Sequence, residues 1–338
     1  MSGHETKFKL GIVGCQGIGA HVARAATGLE GIQVVACCDV NTEVAEKLAA
    51  DLEIPAVFSE ASMMFAECSL DAVYLAVPHH LHYDLVVQAI ERRLPVLCEK
   101  PITESIASAE ALTAVVRASG VKVGINYQRR YDITLHTLVQ AIQAGHVGKV
   151  QYIRVNVPWE RTWDYFGNSQ WHAQKDKAGG GTLITQASHY IDIVLQALQP
   201  AQPLQALAFT DQLKFNGQIE VEDFAMGIIR MNTNSYIEVC SSMVVHPQQP
   251  VRIEVYGVDG AVIFDDNKGA LEFTGVDPYP TQLPPQDGID GITRSLIAFR
   301  DWIIDDIPYW IPIESALPAL RCVDALYRAS DQGCVVAV

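Results

Sequence analysis

Lys9-Leu-Gly-Ile-Val-Gly14 and the run that follows it, Cys15-Gln16-Gly17-Ile18-Gly19, decide how the chain is read. The first is a short apolar run rich in branched residues, the pattern of a buried strand. Residues 20–26 are apolar on one side and compatible with a helix. A second apolar run, Val34-Val-Ala-Cys-Cys38, ends on Asp39. Strand, glycine turn, helix, strand and acid, in this order, predict a unit that binds a dinucleotide. The turn lets backbone N–H groups and a helix N-terminus face a pyrophosphate. The acid, 20 residues past Gly19, is placed to take both hydroxyls of the adenosine ribose.

The usual glycine pattern is G-x-G-x-x-G, and its middle glycine permits close approach of the pyrophosphate. Counted from Gly14, that position is Gln16. Either Gly17 takes over in a shifted turn, or Gln16 keeps an ordinary φ and still presents its N–H. The expected cofactor contacts here are Gly14, Gln16, Gly17, Ile18, Gly19 and Asp39. Asp39 predicts NAD rather than NADP, because a carboxylate repels a 2′-phosphate. Val40-Asn41 brings no arginine to offset it.

The chain has 338 residues, which predicts two domains, and 49% of them are apolar, which is enough for a large core. Its formal net charge of −15 argues against nucleic acid and anionic membranes as partners. An anionic substrate stays open, because a local cluster of Arg overrides the mean field. The cysteines are Cys15, Cys37, Cys38, Cys68, Cys98, Cys240, Cys322 and Cys334. They form no C-x-x-C pair, and several fall in apparent buried strands. Reduced thiols and a cytoplasmic protein are therefore expected. No signal-peptide apolar segment precedes the first strand, and no apolar run is long enough to span a bilayer.

Strand patterns at 34–38, 56–58, 71–77, 95–98 and 121–125 alternate with helical ones at 41–51, 81–92 and 105–119. Alternation predicts an α/β domain over 1–125 with a doubly wound parallel sheet of the Rossmann type. In such sheets ligands sit beyond the carboxyl ends of the strands. Those ends are Gly14, Asp39, Pro78, Lys100 and Asn126. The pattern then changes. A helix over 133–144 and a strand over 149–157 precede an irregular stretch, 159–177, rich in Trp, Tyr and Asp. Gly179-Gly-Gly181 leads into a helix over 183–198. Strand-like segments follow at 225–231, 235–241, 252–257 and 261–264, then a Pro-rich loop over 277–287 and helices at 292–304 and 315–330. Consecutive strands without helices predict a large, mostly antiparallel sheet in an α+β domain over 126–338. One free face of such a sheet suits a partner subunit, so a homodimer or homotetramer is expected.

At this point the residues resemble the Gfo/Idh/MocA oxidoreductases, named for glucose–fructose oxidoreductase and inositol dehydrogenase. The likeness spans nearly the whole chain. It rests on Gly11-Ile-Val-Gly-Cys-Gln-Gly-Ile-Gly19, Val77-Pro-His-His-Leu-His82, Val96-Leu-Cys-Glu-Lys-Pro101, Gln128-Arg-Arg-Tyr131, Gly179-Gly-Gly-Thr-Leu183 and His189-Tyr-Ile-Asp192. Trp159-Glu-Arg161, Tyr165, Trp171 and Thr185-Gln-Ala-Ser-His189 look most like the nucleotide-sugar branch, which includes UDP-N-acetylglucosaminuronate dehydrogenases. The resemblance implies hydride transfer between NAD and a sugar, cyclitol or nucleotide-sugar hydroxyl. It implies Lys100 as the catalytic lysine and His189 as general acid/base. It also implies cofactor contacts from Val77, Pro78, His82, Glu99, Lys100 and Gln128. The same fold also includes non-catalytic regulators and NAD-dependent glycosidases. Retention of both Lys100 and His189 speaks against the regulator.

Asp192 shares a helix face with His189 and either orients it or makes a local polar contact. Thr185 stands where the inositol dehydrogenase pattern has an acid, four residues before the His. A Thr is no base near neutral pH, so proton transfer falls on Lys100 and His189, and Thr185 is left to bond a sugar hydroxyl. Arg129, Arg130, Arg161 and Trp171 either line the substrate or serve ion pairs and packing. Trp159, Trp163, Tyr165 and Phe166 are either core or a stacking wall. His79, His80 and His82 have no spaced acid or thiol to complete a metal site, and none is expected.

Overall fold

In chain order the first elements are β1 (Phe8–Val13), α1 (Gly17–Thr27), β2 (Ile32–Cys38), α2 (Thr42–Leu52), β3 (Ala56–Phe58), α3 (Ala61–Glu67), β4 (Ala72–Leu75), α4 (His82–Glu91), β5 (Val96–Glu99), α5 (Ile106–Ser119) and β6 (Val123–Asn126). The computed structural model describes residues 7–167, 169–276 and 288–338. The Pro-rich loop expected over 277–287 lies outside the described residues. Six strands pair in the order β3-β2-β1-β4-β5-β6, all in parallel. Every residue of β4, β5 and β6 is buried, as a parallel sheet covered on both faces requires. The strand order reverses between β1 and β4, the switch point where such sheets bind ligands. The helix α3 has no counterpart in the sequence reading. Its seven residues bury only Ala61, Met64 and Phe65, too short a stripe to show a period.

The chain continues with α6 (Ile133–Gln143), β7 (Val150–Pro158), α7 (Trp163–Gly167) and α8 (Lys175–Ala178). A π-helical turn, Leu183–Ala187, then runs directly into α9 (Ser188–Ala197). After it come β8 (Pro203–Asp211), β9 (Phe224–Met231), β10 (Tyr236–Ser242), β11 (Arg252–Gly257), β12 (Ala261–Asp265), β13 (Ala270–Thr274), α10 (Gly291–Asp305), α11 (Ile313–Gln332) and β14 (Val336–Ala337). Eight strands form one sheet, β13-β12-β11-β7-β10-β9-β8-β14. It is antiparallel except for β7 beside β10. One face buries Ile153, Val155, Ala225, Ile229, Ile237 and Val239 and meets α9 and α6. The other face carries Tyr152, Phe209, Met226, Ile228 and Tyr236, each more than 40% exposed. Phe209 and Met226 are direct partners across β8 and β9.

By its contacts the chain divides into two compact units. One holds the chain up to Thr103, Ala107–Gln128 and Ile289–Ala316; the other holds Glu104–Ile106, Arg129–Gly288 and Leu317–Val338. The helix expected at 292–304 within the second region therefore belongs with the first unit. It is α10, which packs against α1 and β6.

The triple glycine has a steric reason within the second unit. The buried Glu222 carboxylate accepts the N–H groups of Gly181 (2.7 Å) and Leu183 (2.9 Å) and the Tyr327 hydroxyl (2.8 Å). It thereby satisfies orphan donors at the start of the helix that carries His189. The backbone must come so close that a Cβ on Gly181 would stand 1.7 Å from the Glu222 carbonyl oxygen. Gly181→Ala is expected to lower unfolding stability by about 3 kcal/mol or more. Gly28→Ala is the control, because that site has φ −78° and no Cβ neighbour nearer than 3.5 Å. Urea denaturation of the two variants checks the difference; equal midpoints would refute the packing argument.

Candidate active site

The glycine turn resolves the question posed by Gln16. Gln16 takes an ordinary extended backbone, φ −115° and ψ 166°, as the residue before α1. Gly17 beside it has φ +48° and Gly14 has φ +91°, conformations that suit glycine. A Cβ on Gly19 would meet the Gly14 carbonyl oxygen at 1.9 Å, so the last glycine of the motif sets the approach of α1 to the turn. No side chain caps α1. The Gly19 N–H donates to the Gln16 oxygen at 2.9 Å, which leaves the N–H groups of Gly17 and Ile18, among the described residues, for an anion such as a pyrophosphate.

Asp39 closes the other side of this turn. Its Oδ2 accepts the Cys15 N–H (2.8 Å) and its Oδ1 the Asn41 N–H (2.9 Å). Each oxygen keeps a further lone pair for a ribose hydroxyl. Besides the ribose contact expected of it, Asp39 ties the turn to the end of β2. Below it, burial pushes the Cys38 thiol up to about 12, with the Asp39 charge adding to the effect. That thiol is inert packing rather than a nucleophile.

Glu99 and Lys100 stand at the carboxyl end of β5. Glu99 is buried. Its Oε1 accepts the Tyr74 hydroxyl from β4 in a short hydrogen bond and the Asn126 Nδ2 from β6 at 2.9 Å. Its Oε2 accepts the Lys100 N–H at 3.2 Å. Asn126 in turn donates to the Tyr74 oxygen (2.7 Å) and accepts from Ser295 of α10 (2.8 Å), which also bonds Tyr309 (2.7 Å). One carboxylate thus joins the ends of three neighbouring strands beneath a half-buried Lys100. The Lys100–Pro101 peptide is cis.

His82, expected near the cofactor, has each ring nitrogen beside a backbone carbonyl oxygen, and the single N–H of the neutral ring donates to one of the two. Nδ1 lies 3.0 Å from the Pro101 oxygen and Nε2 3.0 Å from the Val77 oxygen. The ring is fully buried and braces the segment after β4, with Val77 and Pro78, against the segment after β5. Burial lowers its pKa, and the Lys100 charge lowers it further. Gln128, in the 3₁₀ turn Gln128–Tyr131, has a buried Oε1 with no partner among the described residues. It is an acceptor that a ligand amide N–H can fill. The turn, Asp39 and Gln128 together fit a nicotinamide dinucleotide. Among the described residues no cluster of His, Cys, Asp and Glu fits a metal ion.

In the second unit, His189 is buried on α9. Asp192, one turn on, does not turn toward it. Its carboxylate takes a bidentate pair from Arg130, Nε to Oδ2 at 2.7 Å and Nη2 to Oδ1 at 2.5 Å. Burial raises the Asp192 pKa while Arg130 pulls it down. Arg130 is thereby accounted for as structure. Arg129 lies 3.7 Å from Asp132 and 3.9 Å from Asp266, and its guanidinium sits over the Tyr190 ring. Thr185 donates to the Gly181 oxygen at 2.6 Å and is hydrogen-bonded to the Tyr165 hydroxyl.

The aromatic residues divide between the two roles left open. Phe166 is core, packed with Phe215, Ile219, Val221 and Met243. Trp163 is 49% exposed. Trp159 and Tyr165 flank the Arg161 guanidinium, each ring 5.1 Å from it. Trp171 stacks on His172 at 3.7 Å, and His172 packs on Tyr165. Two features escaped the sequence reading. One is Glu222 as the anchor of the His189 helix. The other is Tyr190, next to His189, whose buried hydroxyl has no partner among the described residues.

Comparison with known proteins adds to this geometry. Residues 8–127 match the Gfo/Idh/MocA model described as "Oxidoreductase family, NAD-binding Rossmann fold", and residues 135–263 match the "GFO/IDH/MocA C-terminal domain". Inositol 2-dehydrogenase 4 of Saccharopolyspora erythraea is 35% identical over 145 residues, 42% of this chain and 43% of that protein. That match spans less than half the length of the relative. D-xylose 1-dehydrogenase (NADP(+)) 2 of Haloferax volcanii is 25% identical over 96% of this chain and 98% of its own. The WlbA dehydrogenase of Bordetella pertussis, crystallised with NADH and UDP-GlcNAcA, shares the fold with a TM-score of 0.86. Its identity is 24%, over 98% of this chain and 99% of that one. The chain belongs to the Gfo/Idh/MocA family of oxidoreductases, with an NAD-binding Rossmann fold in its N-terminal part.

Proposed function

We propose that the protein is an NAD-dependent dehydrogenase acting on a hydroxyl-bearing carbon of a sugar, cyclitol or nucleotide sugar. The observation that carries this reading is the buried Glu99 network, which holds Lys100 at the mouth of a sheet whose glycine turn suits a dinucleotide. NAD, when bound, accepts the hydride from that carbon. The chain's own residues handle the proton and the orientation. Lys100 takes the hydroxyl proton, aided by partial burial, and His189 acts as general acid/base. Thr185, Arg129, Arg161 and Trp171 contact the substrate. His82 keeps Lys100-Pro101 in place through the Pro101 oxygen. Asp39 favours NAD over NADP.

The relatives support this choice of substrate class, since inositol and xylose dehydrogenases are among them. The first compact unit serves the cofactor, and the second serves the substrate and self-association. A second copy of the chain covers the outward sheet face of Phe209, Met226 and Ile228. Charges at its centre, Arg154 between Glu238 (3.3 Å) and Glu254 (3.2 Å), give that contact a register. All eight cysteines are free, which suits a reducing cytoplasm. Among the described residues no helix is long and apolar enough to cross a membrane.

Lys100→Met is expected to lower turnover by about 10³-fold or more while NADH binding, followed by fluorescence, stays intact. Normal turnover in that variant would overturn the role of Lys100. His82 and His136 both have pKa values lowered by burial. The unfolded chain binds their protons near 6.5 and the folded chain does so only at lower pH. Their contribution is full above 6.5 and is lost as the pH falls through the folded values. The urea midpoint should therefore drop between pH 7.5 and 5.5, and His82→Gln should flatten that slope. Phe209→Glu should shift the sedimentation coefficient toward the monomer. A wild type already monomeric at micromolar concentration would remove the sheet-face interface.

A further inference from the structure

We propose that Arg161 selects a sugar bearing an anionic oxygen group, either a carboxylate or a diphosphate; this rests on the dehydrogenase reading above. The chain carries 39 Asp and Glu against 24 Lys and Arg. Acids are abundant, and the neighbouring arginines use them: Arg129 has Asp132 and Asp266, and Arg130 has Asp192. Arg161 is half-buried and, among the described residues, pairs with no carboxylate. Glu160 beside it is engaged by His246, whose Nδ1 lies 2.8 Å from Oε1. The Arg161 Nη1 donates to the Glu160 backbone oxygen at 2.9 Å, and its buried Nε has no partner among the described residues. Burial lowers its pKa, and only the Tyr165 hydroxyl counters that. A desolvated cation left without a counter-charge is unfavourable. A ligand anion would supply what the chain withholds.

The Trp159 and Tyr165 rings each lie 5.1 Å from the guanidinium carbon, and hydrogen bonds to the Glu160 oxygen and the Tyr165 hydroxyl hold the group in place. With Nη1 on the Glu160 oxygen and the Tyr165 hydroxyl bonded to the guanidinium, the buried Nε is the donor left, among the described residues, for an oxyanion of the kind Arg binds in carboxylates and phosphates. Both flanking rings are tied to the helix of the acid/base group. Tyr165 bonds Thr185, one turn before His189. Trp159 meets the edge of Tyr190, one residue after His189, at 6.2 Å between centroids. The cation thus belongs to the wall around His189, where a substituent of the reacting sugar would reach it. The backbone is fixed as well, since the Arg161 N–H donates to the Met243 oxygen at 2.8 Å and Lys214 Nζ donates to the Arg161 oxygen at 2.9 Å.

The test uses the full chain saturated with NADH for calorimetric binding, and with NAD for NADH formation. The probes are glucose, glucuronate, UDP-glucose and UDP-glucuronate. The wild type is expected to hold at least one anionic probe about 10-fold or more tighter than glucose, and Arg161→Gln to bring that ratio near unity. Arg161→Lys should restore part of it. Preference for glucuronate over glucose assigns the site to a carboxylate; preference for both UDP sugars alone assigns it to the diphosphate. Equal binding of all four probes by the wild type, or equal loss on all of them in Arg161→Gln, overturns the proposal. Arg161-dependent anion binding without NADH formation leaves the proposal standing and sinks the dehydrogenase reading. NADH from glucose alone, with no anionic preference, does the reverse.

Discussion

Each of the two candidate proton-transfer groups hangs on a buried carboxylate. Glu99 accepts donors from Tyr74, Asn126 and the Lys100 backbone; Glu222 accepts from Gly181, Leu183 and Tyr327. A carboxylate out of water is stable only when its lone pairs are filled, and three donors each do that here. Removing any one donor leaves the charge short of a partner, so the network behaves as a unit rather than as separate bonds. The consequence is local rigidity where chemistry needs it. Lys100 follows directly on Glu99, and the helix of His189 starts on the N–H groups that Glu222 binds. Position at these two points is set by polar geometry, and the surrounding apolar core excludes the water that would compete for it.

Much of this was legible as pattern. The order of strands and helices up to Asn126, the glycine turn, Asp39, and the antiparallel region after Leu204 all follow from periodicities that local sequence carries. What the pattern could not show was partnership. Glu99 meets Tyr74 and Asn126, 25 and 27 residues away, and Glu222 meets Gly181 and Leu183, 41 and 39 residues before it. No local period encodes such pairs. Asp192 is the clearest case. Its spacing from His189 suggested a partner on the same face, yet it pairs with Arg130, 62 residues earlier. A buried guanidinium competes for a carboxylate far better than a neutral imidazole does. The return of α10 to the first unit escaped for the same reason: nothing near 291–305 in sequence announces Asn126 or α1.

The charges then sort themselves by burial. The Arg130–Asp192 pair is sealed from solvent and serves the structure. Arg154, Arg252 and Arg328 lie in partly exposed pairs, which contribute little to stability in water. Arg161 fits neither group. Two rings lie beside it and, among the described residues, no acid opposes it, in a chain whose mean field is strongly negative. That field attracts cations in general, so local positive charge that survives unpaired has a bearing on which ligands enter.

Thr185 brings these strands of argument to one place. Its hydroxyl proton goes to the Gly181 oxygen, so the oxygen is left as an acceptor and the residue has no proton to trade near neutral pH. The same hydroxyl meets the Tyr165 hydroxyl, which also bonds the Arg161 guanidinium. An acid at this position would place a negative charge beside the Tyr165 hydroxyl that bonds that guanidinium. With a Thr there, the cation stays free of a protein anion and the helix still closes on the glycine triplet. The substitution of hydroxyl for carboxylate, which sets this chain apart from the inositol dehydrogenase pattern, removes a base from the wall around His189 and leaves a positive charge available in it.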